Sequence, residues 1–181
     1  MKNSFKRSID SHVMLSELML PSHSNFSGKI HGGYILSLMD KVAFACAAKY
    51  SGNYAVTASV DKVDFLQPVE VGEMINLKAS INFVGRTSMV VGVRVESENI
   101  QTGEKKHCNS SYFTMVAKND EGKSVPVPGL ILDSETSVRR FVRSAIRQKQ
   151  GRIRREKFKS ESFVLNEHLD LLNGYNIKLD L

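Results

Sequence analysis

Residues Asn25 to Tyr50 read NFSGKIHGGYILSLMDKVAFACAAKY. A polar, glycine-containing approach runs into His31-Gly32-Gly33. From Tyr34 onward nearly every residue is apolar or small, over a length that predicts a helix of roughly five turns. A helix that is apolar on most faces is expected to be wrapped by other structure rather than laid on a surface. One position breaks the pattern. Asp40 stands between Met39 and Val42, with Lys41 beside it, where a carboxylate has no packing role and its burial without a partner would be strongly unfavourable. Such an acid is either structural, paired with Lys41 or a hydroxyl, or it does chemistry.

Working outward, His12 to Leu20 has the character of a short strand or helical turn, and Pro21-Ser22-His23-Ser24 breaks it before the central stretch. On the other side, Ser51-Gly52-Asn53 supplies a stop and a turn. Runs of strand character follow. The first, Tyr54 to Phe65, is rich in valine, threonine and aromatics and closes at Gln67-Pro68. In the second, Ile75, Leu77, Ala79, Ile81 and Phe83 fall on one face before Gly85-Arg86. The third repeats the alternation with Met89, Val91, Val93 and Val95. A fourth runs from Lys106 to Ala117 and ends at Asn119-Asp120-Glu121-Gly122. These are the signals of an antiparallel meander. One long apolar helix followed by alternating strands predicts an α+β domain in which the inner faces of a curved antiparallel sheet wrap the helix.

Composition narrows the function classes. A chain of 181 residues, 41% hydrophobic with four prolines, has the length of one ordinary domain and a tail. We expect a core domain over residues 1–129 and a helical extension over 130–181. No uncharged apolar run is long enough for a membrane span, and the N-terminal charges are followed by no apolar signal core or small-residue cleavage site, so a cytoplasmic protein is expected. Cys46 and Cys108 fall in apolar stretches with no CxxC or Cys/His pairing, which predicts reduced core cysteines and no metal site.

The formal charge of +6 is uneven: residues 1–129 carry 14 basic and 12 acidic residues, and residues 130–181 carry 11 and 7. In the extension, Asp133 and Ser134 are placed to cap a helix whose apolar stripe is Val138, Phe141, Val142, Ala145 and Ile146, an amphipathic cover with arginines on its other faces. Beyond Gly151 the run RIRREKFK reads first as a solvated face. Its other readings are a lining for a ligand path or a hold on an acidic partner or RNA. Without an aromatic stacking platform or binding motif, nucleic acid is a minor reading. The last segment, Ser162 to Leu181, is mixed in character and suited to packing on a neighbouring subunit.

Several segments taken in order resemble one family. They are Asn25, then His31-Gly32-Gly33 with Asp40 seven residues after Gly33, then the stretch Val56 to Glu73 containing Val63-Asp64-Phe65 and Pro68-Val69, then Val84 to Met89, and the aromatic strand around Tyr112-Phe113-Thr114. Together they are similar to the hotdog-fold acyl-CoA thioesterases, in particular the broad-specificity bacterial and cytosolic acyl-CoA hydrolases. The resemblance covers roughly Met19 to Pro128 and extends into the basic helix after Pro128. It implies the hotdog fold, acyl-CoA as substrate, hydrolysis to CoA and a carboxylic acid, an obligatory homodimer, and a hexamer built as a trimer of dimers. No cofactor is implied beyond the coenzyme A that is part of substrate and product.

The resemblance also places roles. Asp40 is the catalytic acid, acting as general base on a water or attacking to form an anhydride. Asn25 orients the water or the carbonyl. Backbone N–H groups near Gly33 and Tyr34, at the helix start, are expected to lack intrahelical partners and to polarise the carbonyl. His31, Gly32, Tyr34 and Thr57 are expected around the substrate, and Arg86, Thr87 and Ser88 at a strand turn near the CoA phosphates. Each has a plainer reading: Asn25 as a turn former, His31 as a loop cap, Thr57 and Ser59 as cross-strand packing, the Arg86 turn as a solvated hairpin.

Gly33 and Asp40 lie seven residues apart on one helix face, roughly 10 Å along the axis, too far to serve one carbonyl carbon. A site shared between two subunits is therefore expected. Two other functions compete: an acyl-thioester hydratase, whose usual histidine motif with a following proline does not match His31-Gly32-Gly33, and a non-catalytic acyl-CoA sensor using the same pocket. Acyl chain length stays open, with Met39, Phe44, Phe65 and Phe83 as the side chains that would set it.

Overall fold

The computed structural model describes residues 4–160 and 163–180, with the side chains of 159 and 160 left aside. Residues 1–3 of the expected N-terminus and residues 161, 162 and 181 of the expected tail lie outside the described residues. The elements in order are β1 (Phe5–Arg7), β2 (Val13–Leu18), α1 (Gly32–Ser51), β3 (Tyr54–Val60), β4 (Glu73–Val84), β5 (Ser88–Asn99), β6 (Lys105–Lys118), β7 (Gly129–Ile131) and α2 (Glu135–Ser160). Two compact units result, Met1–Ser144 and Ala145–Leu181. The second holds the later part of α2 and two short 3-10 turns, Leu165–Glu167 and Leu169–Leu172.

Five strands form one antiparallel sheet in the order β2-β4-β5-β6-β3. Strands β4, β5 and β6 are the expected meander. Strand β3, which precedes them in the chain, crosses to the far edge and pairs with β6, because α1 separates it from β2 and carries the chain over the sheet. Strands β1 and β7 form a small parallel pair beside the main sheet. Strand β3 ends at Val60, and the segment from Asp61 to Leu66 is tied to β6 by two backbone bonds, Asp61 N–H to the Tyr112 carbonyl and Leu66 N–H to the Cys108 carbonyl, each 2.9 Å, and by the side chains of Asn109 and Ser111, which donate to its carbonyls. The segment expected as one strand to Phe65 is therefore half strand and half tethered loop.

The inner face of the sheet carries Leu77, Ala79, Ile81, Val91, Val93, Val95, Phe113 and Met115, all buried against Ile35, Leu38, Met39, Val42, Cys46 and Tyr50 of α1. Each large side chain so buried contributes about 1.5–3 kcal/mol. The helix ends where Gly52 takes a left-handed φ of 69° and returns its N–H to the Ala48 carbonyl, a conformation that favours glycine. Cys46 and Cys108 are free and buried, as expected, and burial pushes the Cys46 thiol up to about 12.

Two expectations are corrected by packing. First, α1 is not apolar-buried all round: Leu36, Ser37, Asp40, Lys41 and Phe44 face outward in the single chain, so Asp40 is exposed. Second, Phe83 does not share a face with Ile81. A bulge at Asn82 shifts the register so that Ile81 pairs with Val91 but Phe83 with Val90, which turns Phe83 to the outer face and Val84 to the core. There Phe83 meets Phe141 of α2 with ring centroids 4.9 Å apart. The stripe expected to cover the sheet is correspondingly displaced: Phe141 is half-buried and Ser144 fully buried, whereas Val138, Val142 and Ile146 stand 43–50% exposed.

Candidate active site

Asp40 lies on the outward face of α1, and the β3 edge comes up against it. Thr57 Oγ1 donates to Asp40 Oδ1 at 2.6 Å, and the same hydroxyl rests 3.4 Å from the Met115 sulfur beneath it. The bulge between Thr57 and Ser59 marks where β3 departs from its β6 register. Among the described residues no cation pairs with Asp40, so the reading as an acid tied to Lys41 does not hold; a hydroxyl holds it instead. One carboxylate oxygen is thereby fixed and Oδ2 is left open. Leu36 and Phe44, one turn to either side of Asp40 on the same face, are 36% and 38% exposed, and the Tyr54 ring meets Phe44 at a tilt, with centroids 5.5 Å apart. The carboxylate thus sits in the middle of an apolar strip.

The β4–β5 turn reaches the same end of the sheet. Thr57 pairs with Met115 and Met115 with Met89, so Ser88 lies two strands from β3, about 10 Å away. Within the turn, Gly85 N–H bonds the Ser88 carbonyl, and the Arg86 and Thr87 carbonyls accept from Val127 and Ala117. Arg86 is exposed and its guanidinium makes no ion pair among the described residues.

The helix N-terminus is a separate cluster, two turns along the axis from Asp40. His31 is the N-cap, and its Nδ1 accepts the Gly33 N–H at 3.0 Å, while the Tyr34 N–H goes to the His31 carbonyl at 2.9 Å. The amides of Gly33 and Tyr34 are thus partnered, contrary to expectation, because a histidine at this position reaches back as a capping acceptor. Gly32 is the helical residue whose N–H has no acceptor among the described residues. Both glycines are constrained by rings: a Cβ on Gly33 would lie 3.1 Å from the His31 ring, and one on Gly32 would lie 3.1 Å from Phe65.

Asn25 sits beside this cluster in a closed loop. Its Oδ1 accepts from Ser27 N–H, Ser27 Oγ and Lys29 N–H, so the turn-forming reading is realised and the side-chain NH2 alone is left to face a ligand. Tyr34 stacks on His23 at 4.0 Å and donates its hydroxyl to Glu17. That hydrogen bond, together with burial and the charge of Glu17, holds the phenol above its usual range. Glu17 and His23 carried no sequence signal, since their partner lies on another element. Phe65 had one in its place within Val63-Asp64-Phe65, but nothing to say that it lies over Gly32. The geometry therefore makes two half-sites on one chain: a hydroxyl-steadied carboxylate with the Arg86 turn, and a helix N-terminus with Asn25, His31 and Phe65.

A long helix held in a curled five-stranded antiparallel sheet, with an acid on its outward face and glycines at its start, is the hotdog architecture. The profile of the thioesterase superfamily matches residues 27–104. Protein VdlD of Helicobacter pylori is 44% identical over 142 residues, 78% of this chain and 80% of its own. A solved apo-hexameric acyl-CoA thioesterase superposes with a TM-score of 0.81 at 34% identity, covering 88% of this chain and 99% of that one. The acyl-CoA hydrolase of Staphylococcus aureus, solved with butyryl coenzyme A, coenzyme A and coenzyme A disulfide, gives 0.79 at 28% identity over 86% and 94%. That enzyme has also been solved as single alanine variants of an aspartate, an asparagine and a threonine. The chain belongs to the acyl-CoA thioesterase family of the thioesterase superfamily.

Proposed function

We propose that this protein hydrolyses the thioester of acyl-CoA to free CoA and a carboxylic acid, with Asp40 supplying the basic oxygen and the start of α1 polarising the carbonyl. The observation that carries the reading is the hydrogen bond from Thr57 to Asp40, which fixes Oδ1 and leaves Oδ2 free on an exposed apolar strip. The replaced residues of the S. aureus hydrolase support it. Its asparagine, aspartate and threonine are spaced along the chain as Asn25, Asp40 and Thr57 are spaced here, fifteen and then seventeen residues apart.

In this reading the thioester oxygen approaches the Gly32 N–H and replaces His31 Nδ1 on the Gly33 N–H, where developing negative charge meets the positive end of the helix. The Asn25 NH2 donates to the carbonyl or to the attacking water. Oδ2 of Asp40 takes the proton of that water and the thiolate of CoA leaves; attack by Oδ2 itself, through an anhydride, uses the same oxygen. The carbonyl end comes from one subunit and Asp40 from its neighbour, because the two clusters are about 10 Å apart along one helix. A homodimer is then the smallest active form, and a hexamer like that of the relative is its assembly. The Arg86 turn takes the CoA phosphates.

Asp40→Asn should keep fold and acyl-CoA binding and remove hydrolysis, read as free CoA with a thiol reagent. Undiminished CoA release by the variant would remove Asp40 from the mechanism, and a wild-type protein that binds acyl-CoA yet releases no CoA would leave a sensor. A single turnover in heavy-oxygen water tests the second role: label entering Asp40 requires that Asp40 attacked and that water opened the anhydride at the aspartyl carbon.

A further inference from the structure

On the outer face of the sheet, opposite α1, lies a cavity of about 560 Å³ that the thioester chemistry does not use. Its size falls in the range of small-molecule sites. Two cross-strand rungs make its floor. In one, Lys78 of β4 pairs with Arg94 of β5 and Arg94 with Ser110 of β6; in the next, Ser80 pairs with Gly92 and Gly92 with Tyr112. Gly92 leaves the middle of the floor without a side chain, and the Asn82 carboxamide lies against it, so close that a Cβ on Gly92 would fall 2.2 Å from Asn82 Nδ2. Arg140, from the start of α2, closes one side.

The charge of this cavity is built and not diffuse. Lys78 and Arg94 stand directly opposite one another, an arrangement that is repulsive in a sheet. One acid, Glu96, binds both, accepting from Lys78 Nζ at 2.5 Å and from Arg94 Nε at 2.7 Å, and it does not itself line the cavity. Arg140 makes no ion pair among the described residues, and no Asp or Glu is among the lining residues. Three permanent cations against one carboxylate leave an excess of positive charge beside the hydroxyls of Ser80, which donates to Asn82 Oδ1 at 3.3 Å, and Ser110, which shares a 2.9 Å hydrogen bond with His107 Nε2. His12 adds no charge near neutral pH: burial, then Arg140 and Lys49, push its imidazole below the usual range.

From this juxtaposition we infer a second binding site, on the sheet face away from Asp40, for a small phosphorylated anion carrying at least two negative charges. Guanidinium forks and an ammonium over hydroxyl and amide donors are the groups that hold phosphate oxygens. The same chemistry is offered by a free polyphosphate and by the phosphorylated nucleotide end of coenzyme A. The site does not depend on hydrolysis, so it stands or falls separately from the proposed activity.

The test is calorimetric titration of the full-length protein with inorganic pyrophosphate at low salt. We compare wild type with Arg140→Gln, with Ser110→Glu, which sets a negative charge on the first rung without touching Glu96, and with Lys123→Gln as a cation removed elsewhere. The expected result is one pyrophosphate per chain, bound about tenfold more weakly by Arg140→Gln and not measurably by Ser110→Glu, with Lys123→Gln unchanged. A parallel titration with CoA identifies the source: a CoA affinity that falls with the same two variants would move the CoA phosphates from the Arg86 turn to this site, and one that does not assigns the site to a free anion. Absence of pyrophosphate binding, equal binding by all four proteins, or a loss in Lys123→Gln as large as in Arg140→Gln would overturn the inference.

Discussion

In the proposed reaction the placement of Asp40 rests on a single hydroxyl. On an exposed helix face a carboxylate samples several rotamers, and the Thr57 donor at 2.6 Å holds it in one. Thr57→Val keeps the shape of the side chain and removes the donor. Turnover should then fall by roughly ten- to a hundredfold with KM little changed, since positioning is lost and binding is not. Steady-state kinetics decide it: unaltered kcat would make the hydrogen bond incidental, and a loss as complete as that of Asp40→Asn would give the hydroxyl a part in the chemistry itself. The family motif marks Asn25, His31-Gly32-Gly33 and Asp40 as candidates in the sequence, whereas for Thr57 cross-strand packing is the safer reading there and its bond to Asp40 shows only in the fold. It does not decide between His31 as a substrate contact and His31 as a cap, the reading realised at Gly33, because a side chain's choice between solvent and its own helix start depends on the loop geometry set by residues 24–30.

The sheet elements show where reading by alternation stops. Ile75 to Ile81 alternate cleanly, but Phe83 and Val84 are both apolar, so either register satisfies the pattern and only the Asn82 bulge decides which faces the core. Likewise the expected stripe of α2 is not the line that packs, which runs from Phe141 through small Ser144, a residue that hydrophobicity does not mark. The bulge gives a packing test. Gly92→Ala drives a methyl into the buried Asn82 carboxamide and should destabilise by roughly 1–3 kcal/mol, whereas adding Asn82→Ala makes room and should return part of that loss, a coupling visible in a double-mutant cycle of urea midpoints. The outer face also sets an acid limb. Hydrogen bonds from Lys78 and Arg94 hold Glu96 down to about 2 from an ordinary 4.5. A depressed folded-state value means stability present above pH 4.5 and lost as the pH falls toward 2. Glu96 is partly exposed, so its share is about 1 kcal/mol, and Glu96→Gln should flatten the fall in Tm across that window by a corresponding amount.

At the scale of the assembly, the proposed reaction puts both halves of the chemistry on one α1 helix, a rigid rod that holds Gly33 and Asp40 roughly 10 Å apart whatever the loops do. The strip of Leu36, Asp40 and Phe44 is open in the single chain, and β3 is a sheet edge beside it. A second copy related by a two-fold axis would cover both and bring its own helix start toward Asp40. This predicts complementation between dead proteins. In the proposed mechanism Asp40→Asn lacks the carboxylate. Gly33→Val lacks the approach to the helix start, since even a Cβ there meets the His31 ring at 3.1 Å. A heterodimer of the two places both lesions in one site and leaves the other whole. With equal mixing and free exchange, half the dimers are mixed and each has one intact site of two, so activity should recover to about a quarter of wild type. Native mass spectrometry confirms the exchange, and CoA release measures the recovery. Exchange without any recovered activity would mean that each chain completes its own site, and the separation of its two clusters along α1 would then need another bridge.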